Sequence, residues 1–174
     1  MAFTHSKLAS TTVGVGGAST ITFSNIPQNY TDLVIKLSLR TVATSDFPGI
    51  VIRFNGSSAS SYSYKYINSS GTAYSSGGAS SQTSLRLGNT PGSAQTTNTF
   101  GNFEVYIPNY AGSTNKSVSA DTQGENNGTA GYGNLTAGIW ANTTAINNIS
   151  IFETTPVNLA QYSTATLYGI RVEL

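Results

Sequence analysis

What most restricts the fold of this chain is a period of two in its apolar residues that never gives way to a period of 3.6. The segment "DLVIKLSLR" sets Leu33, Ile35, Leu37 and Leu39 on one side and Val34, Lys36, Ser38 and Arg40 on the other, the pattern of a strand with one buried face. "IVIRFN" repeats it with Ile50, Ile52 and Phe54 against Val51, Arg53 and Asn55, and "NFEVYIP" places Phe103, Val105 and Ile107 inward. "STITF", "YSYKY", "SLRLG", "KSVSAD", "LTAGIW", "ISIF" and "TATLYGIRVEL" complete the series. Between them lie Gly-, Ser- and Asn-rich turn clusters: "NGSSAS", "NSSGTAYSSGGASS", "GNTPGSAQTTN", "NYAGSTN", "TQGENNGTAGYGN" and "NTTAINN". No stretch carries apolar residues at helical spacing over three turns, so helix is limited to a single turn near "IPQNYTDL".

About nine short strands without helix define an all-β chain, an antiparallel β-sandwich whose length suits a jelly roll better than a seven-stranded immunoglobulin-type domain. With no composition break or charged linker, one sandwich domain is expected over residues 18–174, preceded by an extended N-terminal arm over residues 1–17. Residues 68–81, nearly devoid of apolar side chains, read as an exposed loop.

Ser, Thr, Asn and Gly make up 82 of the 174 residues, whereas 15 carry formal charge and the net charge is +1. Disordered chains pair high net charge with few aromatics, and this one has ten Tyr and seven Phe, so it folds. Lys7, Lys36, Arg40, Arg53, Lys65, Arg86, Lys116 and Arg171 are scattered and balanced by acids, which argues against nucleic acid as a partner. So little charge on so polar a surface fits a protein packed into an assembly. There is no cysteine, hence no disulfide framework or thiolate site. No segment approaches the roughly 20 apolar residues of a membrane span, and "MAFTHSKLASTTVG" lacks the apolar run of a signal peptide. Synthesis in a cytoplasm without a cleaved signal, and no membrane partner, are the corresponding expectations.

Chemistry finds little footing. His5 is the only histidine and sits in the expected arm, so a Ser-His-Asp site is not anticipated. Asp32, Asp46, Glu104, Asp121, Glu125, Glu153 and Glu173 show no local pairing beyond Asp121 and Glu125. Residues 121–127, "DTQGENN", present oxygens around a glycine but lack the closing glutamate of a calcium loop, and a hydrogen-bonded turn is the simpler reading. "GVGGAS" lacks the Lys-Ser/Thr of a phosphate loop. No catalytic residue, cofactor or metal is assigned, and no enzyme is expected.

The aromatic residues are more informative. Tyr62, Tyr64 and Tyr66 alternate along one strand face, and three environments fit them: a core, a subunit interface, or a platform on which a sugar stacks. Three phenols in a dry interior each need a hydroxyl partner, which is the argument for the other two. Trp140, on the face opposite Leu135, Ala137 and Ile139, is placed outside the main core, and Tyr168 shares the ambiguity.

With these residues in view, the chain resembles small phage virion proteins and phage fibre-type jelly-roll domains. The resemblance rests on "ASTTVGVGGASTITFSNIPQNYTDLVIKLSLR", on "VIRFNG" followed by "YSYKY", on "FGNFEVYIPNYAGSTNKS", on "GENNGTAGYGNLTAGIWANTTAINNISIF" and on "YSTATLYGI". It implies a sandwich on the outside of a bacterial virus, commonly trimeric, and first of all a decoration or cement protein bound to the major capsid protein. Its virion contacts would be adhesive, through the arm and the polar loops. The alternative it implies is a receptor- or carbohydrate-binding module of a tail fibre, head fibre or spike, gripping host glycan. A glycan depolymerase is the third, and it needs paired catalytic residues that the sequence does not display.

Overall fold

The computed structural model of the chain describes residues 3–127 and 131–172. Outside them lie the first two residues of the expected arm, the middle of the "TQGENNGTAGYGN" turn and the end of the expected last strand, with Glu173. Among the described residues there is no helix and there are twelve strands: β1 (Phe3–Thr12), β2 (Ile21–Phe23), β3 (Asp32–Leu39), β4 (Gly49–Phe54), β5 (Tyr62–Ser70), β6 (Ala73–Gln82), β7 (Leu85–Asn89), β8 (Gly101–Pro108), β9 (Lys116–Glu125), β10 (Gly131–Trp140), β11 (Ile149–Glu153) and β12 (Thr164–Val172). Twelve strands replace the expected nine or so. Residues 3–12 form β1 through main-chain pairing with β12, and residues 73–82 form β6 where a loop was expected. Neither carries regular apolar alternation, so the strand signal was absent there.

The strands make an antiparallel sandwich of two sheets, ordered β1-β12-β3-β8-β9-β10-β5-β6 and β2-β11-β4-β7. Without β5, β6, β9 and β10, the other eight strands pair β1 with β12, β2 with β11, β3 with β8 and β4 with β7. That nesting is one long hairpin wound on itself, a jelly roll. The four remaining strands, inserted after β4 and after β8, extend the larger sheet beyond β8.

The core lies between the inner faces. Leu33, Ile35 and Leu39 of β3 and Phe103, Val105 and Ile107 of β8 meet Ile50, Ile52 and Phe54 of β4 and Ile149 and Ile151 of β11, all fully buried. The alternation of β3, β4 and β8 therefore has its expected phase. On β10 the phase is reversed: Trp140 is 1% exposed, whereas Leu135 and Ile139 are 53% and 39% exposed. Asn134, Thr136 and Gly138 share the inner face with Trp140, because β7 passes close over β10 and leaves little room. A Cβ at Gly138 would stand 2.3 Å from Leu85 Cδ1, so glycine there lets the layers approach. Trp140 thus lies inside the core, not outside it.

The turns explain much of the asparagine. Asn25, Asn55, Asn98, Asn109 and Asn127 all adopt positive φ, a conformation asparagine tolerates better than most residues. Asn55 also accepts from the main-chain N–H groups of Asn147 (3.0 Å) and Asn148 (3.1 Å) and donates to Ala145 O (2.9 Å), fixing the loop before β11.

Candidate functional site

The five aromatic candidates do not form one surface. Tyr62 and Trp140 stack with ring centroids 6.0 Å apart and an interplanar angle of 14°, and Phe54 lies 5.6 Å from Trp140. Tyr62 is 1% exposed, and its hydroxyl accepts from Phe54 N at 3.0 Å and donates to Ser57 O at 3.2 Å. Its pairing ladder explains the bond: β7 stops opposite Ile52, so the hydroxyl takes the place of the next strand. Burial raises its pKa, partly offset by the Phe54 hydrogen bond and the charge of Arg53.

Tyr64 and Tyr66 sit further out on the same inner face, half-buried, with rings 6.3 Å apart. Here the larger sheet overhangs the smaller one. The Arg86 guanidinium lies 5.3 Å over the Tyr66 ring, and that ring fills the space a side chain at Gly77 would need. Tyr168 is on the other side of the sheet, edge-on to His5 at 6.5 Å.

The outer face of the inserted strands carries what the sequence reading missed. Strand register aligns Ile67, Leu135, Asp121, Glu104 and Lys36 in one row across β5, β10, β9, β8 and β3. The adjacent row runs Lys65, Ala137, Ser119, Tyr106, Val34 and Tyr168. Toward β5 and β10 this face is apolar and exposed: Ile67 is 58% and Tyr74 of β6 is 87% exposed. Toward β8 and β3 it is polar. Lys36 pairs with Glu104, and Tyr106 Oη donates to Asp32 Oδ2 at 2.8 Å, which adds to burial in raising the Tyr106 pKa.

Between the two halves lies an open depression of about 790 Å³, bordered by Lys65, Ile67, Glu104, Tyr106, Asp121 and Leu135. Glu104 and Asp121 face each other across β8 and β9, a pairing of carboxylates that sequence separation had hidden. Asp121 accepts from Gln123 Nε2 at 3.0 Å, and Glu125 Oε2 from Asn127 N at 2.8 Å, so residues 121–125 are strand, not a loop of converging ligands. Among the described residues no three His, Cys, Asp or Glu side chains converge as a metal site. The out-of-phase Ile67, one residue past the tyrosine alternation, was the available signal for this face.

The charged groups inside the fold are structural. Lys116 is fully buried, and its ammonium donates to Gly112 O (2.7 Å), Thr114 O and Thr143 O (3.3 Å), tying two loops together; burial lowers its pKa. Arg40 donates to the carbonyls of Gln95, Thr96 and Thr99 in the same manner.

The fold and this face thus define a jelly-roll sandwich whose two strand insertions build an outer surface on which Ile67, Tyr74, Leu135 and Ile139 are exposed among polar residues. Compared with known proteins, the chain matches no family model, no curated protein and no solved structure.

Proposed function

We propose that this chain is a non-enzymatic structural protein on the surface of a bacteriophage particle. It acts as a decoration or cement protein that adheres to the capsid shell as a homo-oligomer. The observation that carries the proposal is the exposure of Ile67, Leu135 and Ile139 on the outer face of strands lying outside the eight-strand roll. The core is complete without these side chains, so their burial awaits a partner. Covering them adds about 1 kcal/mol each at ordinary transfer values, and the sparse surface charge opposes no neutral partner.

One observation favours a second reading, a receptor- or carbohydrate-binding module of a fibre or spike. The depression on the same face combines Lys65, Glu104, Tyr106 and Asp121 with apolar Ile67 and Leu135, the mixture a host glycan requires.

Immunogold labelling of source particles with antibody to this chain separates these readings. Gold over the heads is the expected outcome. Gold confined to tail or fibre tips favours the glycan-binding module, and unlabelled particles overturn both.

A further inference from the structure

We infer that β6 is the pairing edge of a two-fold homodimer in which the larger sheets of two copies join edge to edge. The four sheet edges of the molecule are unequal. β2 has three residues and β7 five, both too short to template another strand for long. β1 has ten, but it carries His5 and Lys7 and bulges between Lys7 and Ala9. Charge and a bulge are the devices by which edge strands resist pairing. β6 also has ten residues, about 34 Å of extended chain, and it is the last strand of its sheet. Its sequence, "AYSSGGASSQ", contains no charge and no proline, and its bulge falls only at its far end, near Ser81. Among the described residues no loop hydrogen bond covers the main chain of residues 73–79.

The occupant follows from the same residues. Ala, Ser and Gly are poor strand formers, and no β6 residue belongs to the core cluster, so main-chain pairing with β5 holds it extended on one side and the open side calls for a long uncharged strand. A second β6 meets the requirement best. Antiparallel self-pairing about Gly77 sets Ser76 against Gly78, Ser75 against Ala79 and Tyr74 against Ser80, so no charge enters the seam and Tyr74 is its one large side chain. The nearest charge, Lys65, lies back on β5 with its stem across Gly78 on the outer face. A two-fold also brings the outer faces of the two copies side by side. Tyr74, 87% exposed in one copy, then rests on its neighbour's sheet. A strand that joins β6 to β1 head to tail would instead face Lys7, His5 and the bulge.

The inference rests on the sheet edge and not on the virion reading, so particle labelling can fail with the dimer intact. It is tested on the full chain by sedimentation over a concentration series, with Ser76→Lys as the disrupting variant. The expected result is a monomer–dimer equilibrium that Ser76→Lys weakens roughly tenfold or more, with the circular dichroism spectrum unchanged. Because the chain has no cysteine, the double variant Ser75→Cys/Ala79→Cys, whose thiols oppose each other in this register, and Ser10→Cys supply clean cross-links. Disulfide dimers from Ser75→Cys/Ala79→Cys alone support the two-fold. Cross-linking only in a mixture of the two variants indicates head-to-tail pairing and overturns it. A monomer at every concentration, or a trimer indifferent to Ser76→Lys, overturns it as well.

Discussion

A phenol withdrawn from water is a weaker acid than one in it, and three here have raised pKa values with desolvation the first cause: Tyr62 and Tyr110 in the interior and the half-buried Tyr106 on the outer face. Unfolded phenols ionise near about pH 10, so above that pH the folded state retains protons that the unfolded chain has released. Stability is therefore full below about pH 10 and declines as pH rises through the folded values. Lys116 acts with the opposite sign: its lowered pKa means that the unfolded chain holds that proton longer, so its contribution rises as pH climbs toward about 10.4. Tyr62→Phe separates the phenol effect. The substitution leaves Phe54 N–H without its acceptor and costs about 1–2 kcal/mol near neutrality. Urea unfolding at pH 8 and again above pH 10 is expected to show a smaller alkaline loss in the variant than in the parent. Equal losses in both would mean that Tyr62 ionises as freely folded as unfolded.

At the level of the element, β10 is where pattern and structure part. Its alternation is intact, but the more apolar set, Leu135, Ala137 and Ile139, faces outward while Asn134, Thr136 and Gly138 lie inward with Trp140, so period two alone points to the wrong face. The choice is made by β7, whose Leu85 needs the space above Gly138, and by Tyr62 and Phe54, which receive the Trp140 ring. Two substitutions on this strand check the phase by chemical denaturation. Gly138→Ala drives a methyl group into Leu85 and is expected to cost about 1–3 kcal/mol. Leu135→Ser removes a half-exposed side chain and is expected to cost no more than about 0.5 kcal/mol. Reversed magnitudes would put Leu135 in the core. The same contrast explains what was legible elsewhere. β3, β4 and β8 have one apolar and one mostly polar face, and their inward residues follow from the letters alone. β6 is held by main-chain bonds to β5 and needs no apolar residue, so nothing in "AYSSGGASSQ" marks it as a strand. The exposed face was hidden for a related reason: Ile67, Leu135 and Ile139 belong to two strands whose adjacency depends on register. Tyr64 and Tyr66 face an overhang that exists only because one sheet is wider than the other.

For the whole molecule the governing fact is that the roll closes between its ends. Thr4 is paired with Arg171 and Thr12 with Thr164, so nearly the full chain lies between residues that touch. Sheet order of this kind leaves no local trace in sequence, since each strand is compatible with many neighbours. It also makes the first twelve residues a structural part of the larger sheet. β1 covers the outward main chain of β12, Leu8 and Ala9 pack against the core, and Val13, immediately after it, is 5% exposed and bonded to Ser163 O at 2.8 Å. Removing residues 1–12 therefore deletes a complete ladder and turns β12 into an exposed edge. Main-chain bonds contribute about 0.5–1.5 kcal/mol each, and the ladder holds several, so the expected loss is about 4–8 kcal/mol. That is comparable to the whole stability of an ordinary domain, about 5–15 kcal/mol. The truncated chain is expected to melt tens of degrees lower or to aggregate through β12, as read by thermal circular dichroism and light scattering. A truncation that melts within a few degrees of the full chain would make those residues a dispensable arm, and the roll would then close on β12 and β3 alone.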